Sequence, residues 1–369
     1  MVQFKIYFGK SLKMKIIHVM ECFAGGTFNF LVDLTNELPN EKHIVIYGTN
    51  RENTPKNFKV LFNKNVTFIE WKTAQREMKP LKDIKALWEL YMILKKINDI
   101  DIIHLHSSKA GFLGRIVSFL LGKSKKTIYT PHAISFLRLD VSPKKRKIFI
   151  WMEKFASFFG GKIVACSQSE KEAIEEQGIK NVTFINNGIK PLEIEKKVNT
   201  SNKITIISVG RVSIQKNPKL FNDIALEFID NPNIQFIWCG DGELKSELTS
   251  PNIKCTGWIE RKTLENYLAN ADIYLSTSLW EGLPLSVLEA MSIGLPVILS
   301  DCVGNRDLVE NKDFLYKDKQ KAVKIINYYI KNKRLLVEQS LKSKEVFNKN
   351  FKLENMANLY YQLYRSLYV

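Results

Sequence analysis

Short apolar runs alternate along this chain with longer stretches of helical periodicity, and that alternation limits its fold more than anything else in it. KIIHVM (15–20), HIVIYG (43–48), VTFI (66–69), DIIHLH (101–106), KTIYT (126–130), KIVACS (162–167) and VTFINNGI (182–189) read as strands in the first half. ITIISVG (204–210), FIWC (236–239) and YLSTS (274–278) do so in the second, and helical spacing fills regions such as 80–97 and 109–121. Strand followed by helix, repeated, argues an α/β fold of parallel sheets with helices on both faces. The polar, lysine-rich segment 191–202 reads as a linker between a domain over 14–190 and one over 203–350, with a terminal helix over 351–369. Residues 1–13 precede a second methionine, Met14, and read as an extension or alternative start.

Composition narrows the class. A 45% hydrophobic and 25% charged chain is that of a soluble globular enzyme. The five cysteines are scattered without a CxxC or Cys/His cluster, which points to reduced thiols in a cytosolic protein and away from zinc. No apolar run reaches the roughly 18 residues a membrane span needs, and the N-terminus lacks the form of a signal peptide. Charge is uneven: residues 1–190 hold 31 Lys and Arg against 17 Asp and Glu, a net of +14 that leaves only +3 of the total +17 for the rest. A basic half beside a near-neutral half suggests an anionic partner touching one domain. The basic residues carry no nucleic-acid motif and no stacking aromatics, so an anionic membrane surface, or a diphosphate-linked lipid on it, fits better. PKKRKIFIWMEKFASFF (143–159) pairs a basic cluster with apolar residues at helical spacing, suited either to a membrane interface or to core packing.

The chemistry concentrates at EGLPLSVLE (281–289). Gly282 allows a tight turn after the YLSTS strand, and Pro284 fits the first position of a helix. The N–H groups of Leu285, Ser286 and Val287 would then point out of a helix start, a seat for phosphate. Glu281 precedes that seat and Glu289 lies beyond it, four residues after Leu285 on the same face. Carboxylates accept from vicinal hydroxyls, so the spacing suits a sugar on either side of a diphosphate. Two glutamates at this spacing also occur as ordinary surface charges.

With the GLP repeated at Gly294, Leu295 and Pro296, the string resembles the signature of retaining glycosyltransferases of family 4. DIIHLHSSKAGFLGRI and YTPHAISFLR resemble its bacterial O-antigen and capsular polysaccharide branch. The resemblance implies the GT-B architecture: two Rossmann-like domains facing each other across a cleft, with the C-terminal helix crossing back to the first. It also implies a set of roles. Glu281 and His132 would contact the donor sugar, Glu289 the ribose, and Gly282, Leu283, Pro284 and Leu285 the diphosphate. Arg211 and Lys216, matching GR-x4-K, would clamp the diphosphate as donor and then as leaving group. Trp258 and Ile259 would flank the base, and the Gly25–Gly26 loop would line the cleft. Catalysis would thus fall to His132, Glu281, Arg211 and Lys216, without metal or cofactor. Asp99-Ile100-Asp101 looks like a metal-binding DxD, but it precedes a strand instead of ending one. His104 and His106 share one face of a strand and read as structural, as does Asp241 in its GDG turn.

The reading is a retaining transfer of a hexose or N-acetylhexosamine from a nucleotide-diphosphate donor, UDP first. The acceptor would be an undecaprenyl-diphosphate-linked saccharide at the inner face of the cytoplasmic membrane, where the protein would sit peripherally. The alternatives are a nucleotide-sugar 2-epimerase of the same fold, a noncatalytic nucleotide-sugar binder and a nucleic-acid binder.

Overall fold

The computed structural model describes residues 13–50, 57–75, 79–197 and 203–368, so the expected N-terminal extension, apart from Lys13, and the end of the expected linker lie outside the described residues. The chain forms two compact units: Met1–Tyr129 with Phe159–Gly161 and Tyr361–Val369, and Thr130–Phe158 with Lys162–Tyr360.

The first unit runs β1 (Lys15–Met20), α1 (Gly25–Glu37), β2 (Lys42–Gly48), β3 (Val66–Trp71), α2 (Pro80–Lys95), β4 (Ile102–His106), α3 (Ser108–Leu120) and β5 (Thr127–Thr130). Its strands are near-continuous apolar runs because both faces are covered, as parallel sheets require. The sheet order in this unit is β3-β2-β1-β4-β5, and β6 (Lys162–Ala165) and β7 (Val182–Phe184) fall in the second unit. That order reverses between β1 and β4, the switch point at which doubly wound sheets bind ligands. α1 begins at Gly25 with φ 69° and has no side-chain cap; the glycine takes a left-handed turn straight into the helix.

The histidines of this unit form one buried chain. His43 Nε2 bonds the Leu38 carbonyl at 3.0 Å, His43 Nδ1 meets His18 Nε2 at 3.1 Å, and His18 Nδ1 meets His106 Nε2 at 3.1 Å. A carbonyl only accepts, so neutral His43 donates from Nε2 and accepts at Nδ1 from His18 Nε2, and His18 Nδ1 in turn accepts from His106 Nε2. His104 Nδ1 lies 2.7 Å from the Tyr364 hydroxyl. His18, His104 and His106 are close enough to suit a metal, yet His18 has both nitrogens engaged within the chain. These contacts give each of the three a partner within the first unit. Burial depresses His43 to about 4 and His18 well below the ordinary imidazole value.

A depressed histidine stabilises the fold above its unfolded pKa, near 6.5, and that contribution is lost as pH falls through the folded value. The stability difference between the wild-type chain and His43→Gln should therefore shrink by about 3 kcal/mol between pH 7 and pH 4. Denaturant unfolding at both pH values checks this; a constant difference would mean that His43 is not held neutral by burial.

The second unit adds α4 (Pro143–Ser157) and α5 (Gln168–Glu175), then β8 (Ile204–Val209), α6 (Pro218–Leu226), β9 (Ile234–Cys239), β10 (Ile253–Cys255), α7 (Arg261–Ala269), β11 (Ile273–Ser276), α8 (Leu285–Ser292), β12 (Val297–Ser300) and β13 (Leu315–Tyr316). Helices α9 (Lys319–Lys331), α10 (Lys333–Asn350) and α11 (Leu353–Tyr368) close the chain, α11 passing from this unit into the first at Tyr361. The sheet order β10-β9-β8-β11-β12-β13 is again that of a Rossmann fold, with its switch point between β8 and β11. Alternate residues feed two cores: Ile207, Val209 and Leu299 join Val287 and Leu288 of α8, while Ile206, Phe236 and Leu275 join Phe221 of α6 and Ile326 of α9. Helices therefore cover both faces.

Candidate active site

The loops that leave β8 and β11 diverge at the switch point, and one ion pair joins them. After β8, Gly210 carries φ 143°, and a Cβ there would stand 3.1 Å from Lys216 Cε, so glycine leaves room for the lysine stem to fold back. Asn217 caps α6 through Leu220 N–H at 3.3 Å, with Pro218 at its first position. After β11, the chain reaches Glu281, whose N–H donates to Val303 O at 3.1 Å. Lys216 Nζ then donates to Glu281 Oε1 at 2.7 Å, and Gln215 Nε2 to Oε2 at 3.2 Å. Burial pulls the Lys216 pKa down, but the Glu281 carboxylate outweighs it and the net shift is upward. Arg211 turns elsewhere, pairing with Glu243 at 3.0 Å, and both groups are about half exposed. Of the two residues expected to clamp a diphosphate, Lys216 is therefore partly buried on Glu281 and Arg211 half exposed on Glu243.

Gly282 brings a second loop to this pair. A Cβ at Gly282 would come 2.7 Å from Ala133 N, and one at Gly304 would come 2.8 Å from Gly282 O, so three backbones stack with no space for side chains. His132 and Ala133 have φ 53° and 74°, two successive non-glycine residues in the left-handed region. Such strain persists only when its surroundings impose it. The fully buried Glu170 does so: Oε1 accepts from Ala133 N at 3.0 Å and Ile134 N at 2.8 Å, and Oε2 from Cys166 N at 2.7 Å. Burial raises Glu170 to about 6 against those three bonds. His132 Nδ1 lies 3.6 Å from Cys166 Sγ, and burial lowers the imidazole to about 3, so it stands neutral at physiological pH.

At α8 the helix begins one residue later than the sequence reading placed it. Pro284 is the N-cap, and Val287 N–H turns back to Pro284 O at 3.2 Å, which leaves Leu285 and Ser286 N–H as the outward donors. Tyr274 donates to Ser286 Oγ at 2.9 Å. Asn187 Nδ2 donates to Leu283 O at 3.0 Å and fixes the preceding turn.

Comparisons with known proteins bear on this arrangement. Residues 24–191 match the family described as "Glycosyltransferase Family 4", and residues 190–350 match "Glycosyl transferases group 1". An Escherichia coli relative, UDP-Gal:alpha-D-GlcNAc-diphosphoundecaprenol alpha-1,3-galactosyltransferase, is 34% identical over 270 residues, 65% of this chain and 67% of that protein. The chain belongs to glycosyltransferase family 4. An uncharacterized 41.2 kDa protein of the Klebsiella pneumoniae cps region is 28% identical over 96% of this chain and 100% of its own. Among solved structures, Anabaena Alr3699/HepE in complex with UDP and glucose superposes with a TM-score of 0.76 at 18% identity, covering 96% of this chain and 100% of that one, which supports the GT-B fold.

Other expected contacts of this family 4 glycosyltransferase sit apart from the ion pair. Glu289 is mostly buried and pairs with Arg261; burial raises its pKa, and the arginine opposes that rise. Trp258 is 69% exposed, while Ile259 packs against the core that includes Val287 and Leu288 of α8. Asp241 binds Gly242 N at 2.8 Å and Lys245 at 3.1 Å, structural as expected. Asp101 accepts from Lys15 N at 2.8 Å, so the DxD-like pair is absorbed by the sheet edge. Gly25 and Gly26 open α1 at the end of β1 in the first unit. The sequence reading missed Glu170, Gln215 and Asp307, whose carboxylate accepts from Ser169 Oγ while Ser169 Oγ accepts from Gly304 N at 2.8 Å.

Glu170→Gln offers one acceptor oxygen where three N–H groups converge, and an unsatisfied buried donor costs about 1–3 kcal/mol. We expect a lower unfolding free energy and reduced turnover with nearly unchanged UDP affinity. Unaltered stability in denaturant titration would show that the His132–Ala133 turn holds itself.

Proposed function

We propose that this protein transfers a hexose or N-acetylhexosamine from UDP to a saccharide carried on a prenyl diphosphate, with retention at the anomeric carbon, in surface-polysaccharide assembly. The observation that carries the reading is the Lys216–Glu281 pair beside the α8 start, at the switch point of a Rossmann-ordered sheet. The substrate class draws on the E. coli relative, named for UDP-galactose and a diphosphoundecaprenol acceptor, and on the UDP-bound Anabaena structure.

In this reading the bond from the anomeric carbon to the diphosphate breaks as the acceptor oxygen bonds to the same face. Charge growing on the departing diphosphate is met by Lys216, Arg211 and the N–H groups of Leu285 and Ser286, and its oxygen takes the acceptor proton. Glu281 and neutral His132 position the sugar, Glu289 the ribose, and Trp258 and Ile259 the base. Residues 14–190 would serve the acceptor and 203–350 the donor. α4 supplies a membrane contact: it buries Phe149 and Ala156 while exposing Ile148, Trp151 and Phe158 beside Lys144, Lys145 and Lys147. Arg146 instead donates to Phe136 O at 3.0 Å.

The direct test is incubation with UDP-sugars and a prenyl-diphosphate GlcNAc acceptor. Sugar should move to lipid with equimolar release of UDP; UDP and an epimerised sugar released without acceptor would favour the 2-epimerase. Glu281→Ala should abolish transfer while UDP binds within a few-fold of wild type, and a large loss of UDP affinity would show that Glu281 holds the nucleotide. Lys144→Gln/Lys145→Gln/Lys147→Gln should weaken sedimentation with phosphatidylglycerol vesicles, by up to about 1 kcal/mol per lysine. Unchanged sedimentation would remove α4 from the membrane.

A further inference from the structure

The first unit carries a recess of about 580 Å³ lined by Asn50, Lys72, Thr73, Gln75, Lys79, Lys82 and Lys85. That volume falls in the range of about 300–1,000 Å³ usual for small-ligand sites. Its place in the fold is as telling as its size. Asn50 follows the end of β2, Lys72 to Gln75 follow the end of β3, and Lys79 is the N-cap of α2, so the recess opens at the carboxyl edge of a parallel sheet beside a helix start. Asn50 Nδ2 ties its floor together through Lys72 O at 2.7 Å and Ala74 O at 2.8 Å.

Four lysines line the recess. Among the described residues no carboxylate pairs with the side chains of Lys72, Lys82 or Lys85. The neighbouring acids are committed to other groups. Asp83 binds Lys109 Nζ at 2.7 Å, and Glu89 accepts the N–H groups of Lys72 at 3.0 Å and Thr73 at 2.8 Å. Gln75 Nε2 is buried and has no hydrogen-bond partner among the described residues. A donor left unsatisfied beside three lysines suits a polyanion rich in acceptor oxygens.

The same helix offers apolar surface next to that charge. At about 3.6 residues per turn, Leu81, Ile84, Trp88 and Met92 share one face of α2, and Lys82 and Lys85 lie on the adjoining face. All four are exposed, Leu81 at 80% and Trp88 at 62%, while Ala86, Leu90 and Leu94 face the core. Four exposed large apolar side chains in one stripe are a binding surface more than a solvent face. A ligand matching both features has a diphosphate head and a hydrocarbon tail.

We propose that this recess holds the diphosphate of the prenyl-linked acceptor and that the Leu81–Ile84–Trp88 stripe carries the first isoprene units. The assignment rests on the acceptor class given above and adds where this chain grips it. Lys72, Lys82 and Lys85 meet the phosphate oxygens, and Gln75 Nε2 donates to one of them.

The test uses the full chain with UDP present at saturation, so that the donor seat is filled, and titrates farnesyl diphosphate, inorganic pyrophosphate and phosphatidylglycerol vesicles by calorimetry. Lys72→Gln/Lys82→Gln/Lys85→Gln should weaken farnesyl diphosphate at least tenfold with UDP affinity and melting temperature unchanged. Trp88→Ala should weaken farnesyl diphosphate several-fold and leave pyrophosphate untouched. Equal farnesyl diphosphate affinity in the triple variant overturns the proposal, as does a loss confined to vesicles, which would make the lysines a membrane contact. If wild-type chain fails to bind UDP while the triple variant still loses farnesyl diphosphate, the donor reading falls and the recess stands.

Discussion

A partly buried lysine and a buried glutamate lose less by leaving water when they meet, and much of the second unit is arranged so that Lys216 and Glu281 do. Breaking such a pair costs more than the pair itself yields, because the remaining charge is stranded. The loop after β8 must therefore fold Lys216 back over Gly210, and the loop after β11 must deliver Glu281 beside Val303. Strand order makes this feasible: β8 and β11 are neighbours from which the chain departs in opposite directions, leaving a crevice at their ends. An unliganded charge pair in such a crevice is also a prepared one. A donor diphosphate can take over Lys216 while sugar hydroxyls take over Glu281, so neither charge is left unpaired when the ligand arrives.

Around the pair, close backbone approach does what side chains cannot. Gly282 and Gly304 let three loops touch, and Glu170 gathers the N–H groups that a left-handed turn at His132 and Ala133 leaves without helix or sheet partners. Burial holds the histidine neutral, a hydrogen-bonding group without a charge of its own to compete with Lys216 and Arg211. Positioning and electrostatics are separate duties here: glycine and Glu170 set geometry, and lysine, arginine and the α8 start set field.

The layered fold is open to reading because buried parallel strands are written as unbroken apolar runs. Lys216 and Glu281 were found by motif, but their mutual contact was not, since 65 residues separate them. Glu170 stayed hidden for the same reason: in SQSEKEAIE it looks like the acid of a helix first turn, and its real partners lie up to 37 residues back. Pro284 was read one position too far into its helix because its fixed φ suits both the cap and the first turn. The exposure of Trp258 and of the α2 stripe could not be seen either, because periodicity identifies an apolar face without saying what covers it.

The claim on which the rest hangs is that the second unit is built to seat a uridine diphosphate. Thermal unfolding of the purified chain with UDP, GDP, dTDP or ADP tests it directly, since a ligand bound only by the folded state stabilises it by mass action, by about 2.7 kcal/mol at a hundred times its Kd. The account predicts a concentration-dependent rise in Tm with UDP that the other three do not match. An equal response to all four, or to none up to millimolar concentration, would contradict it.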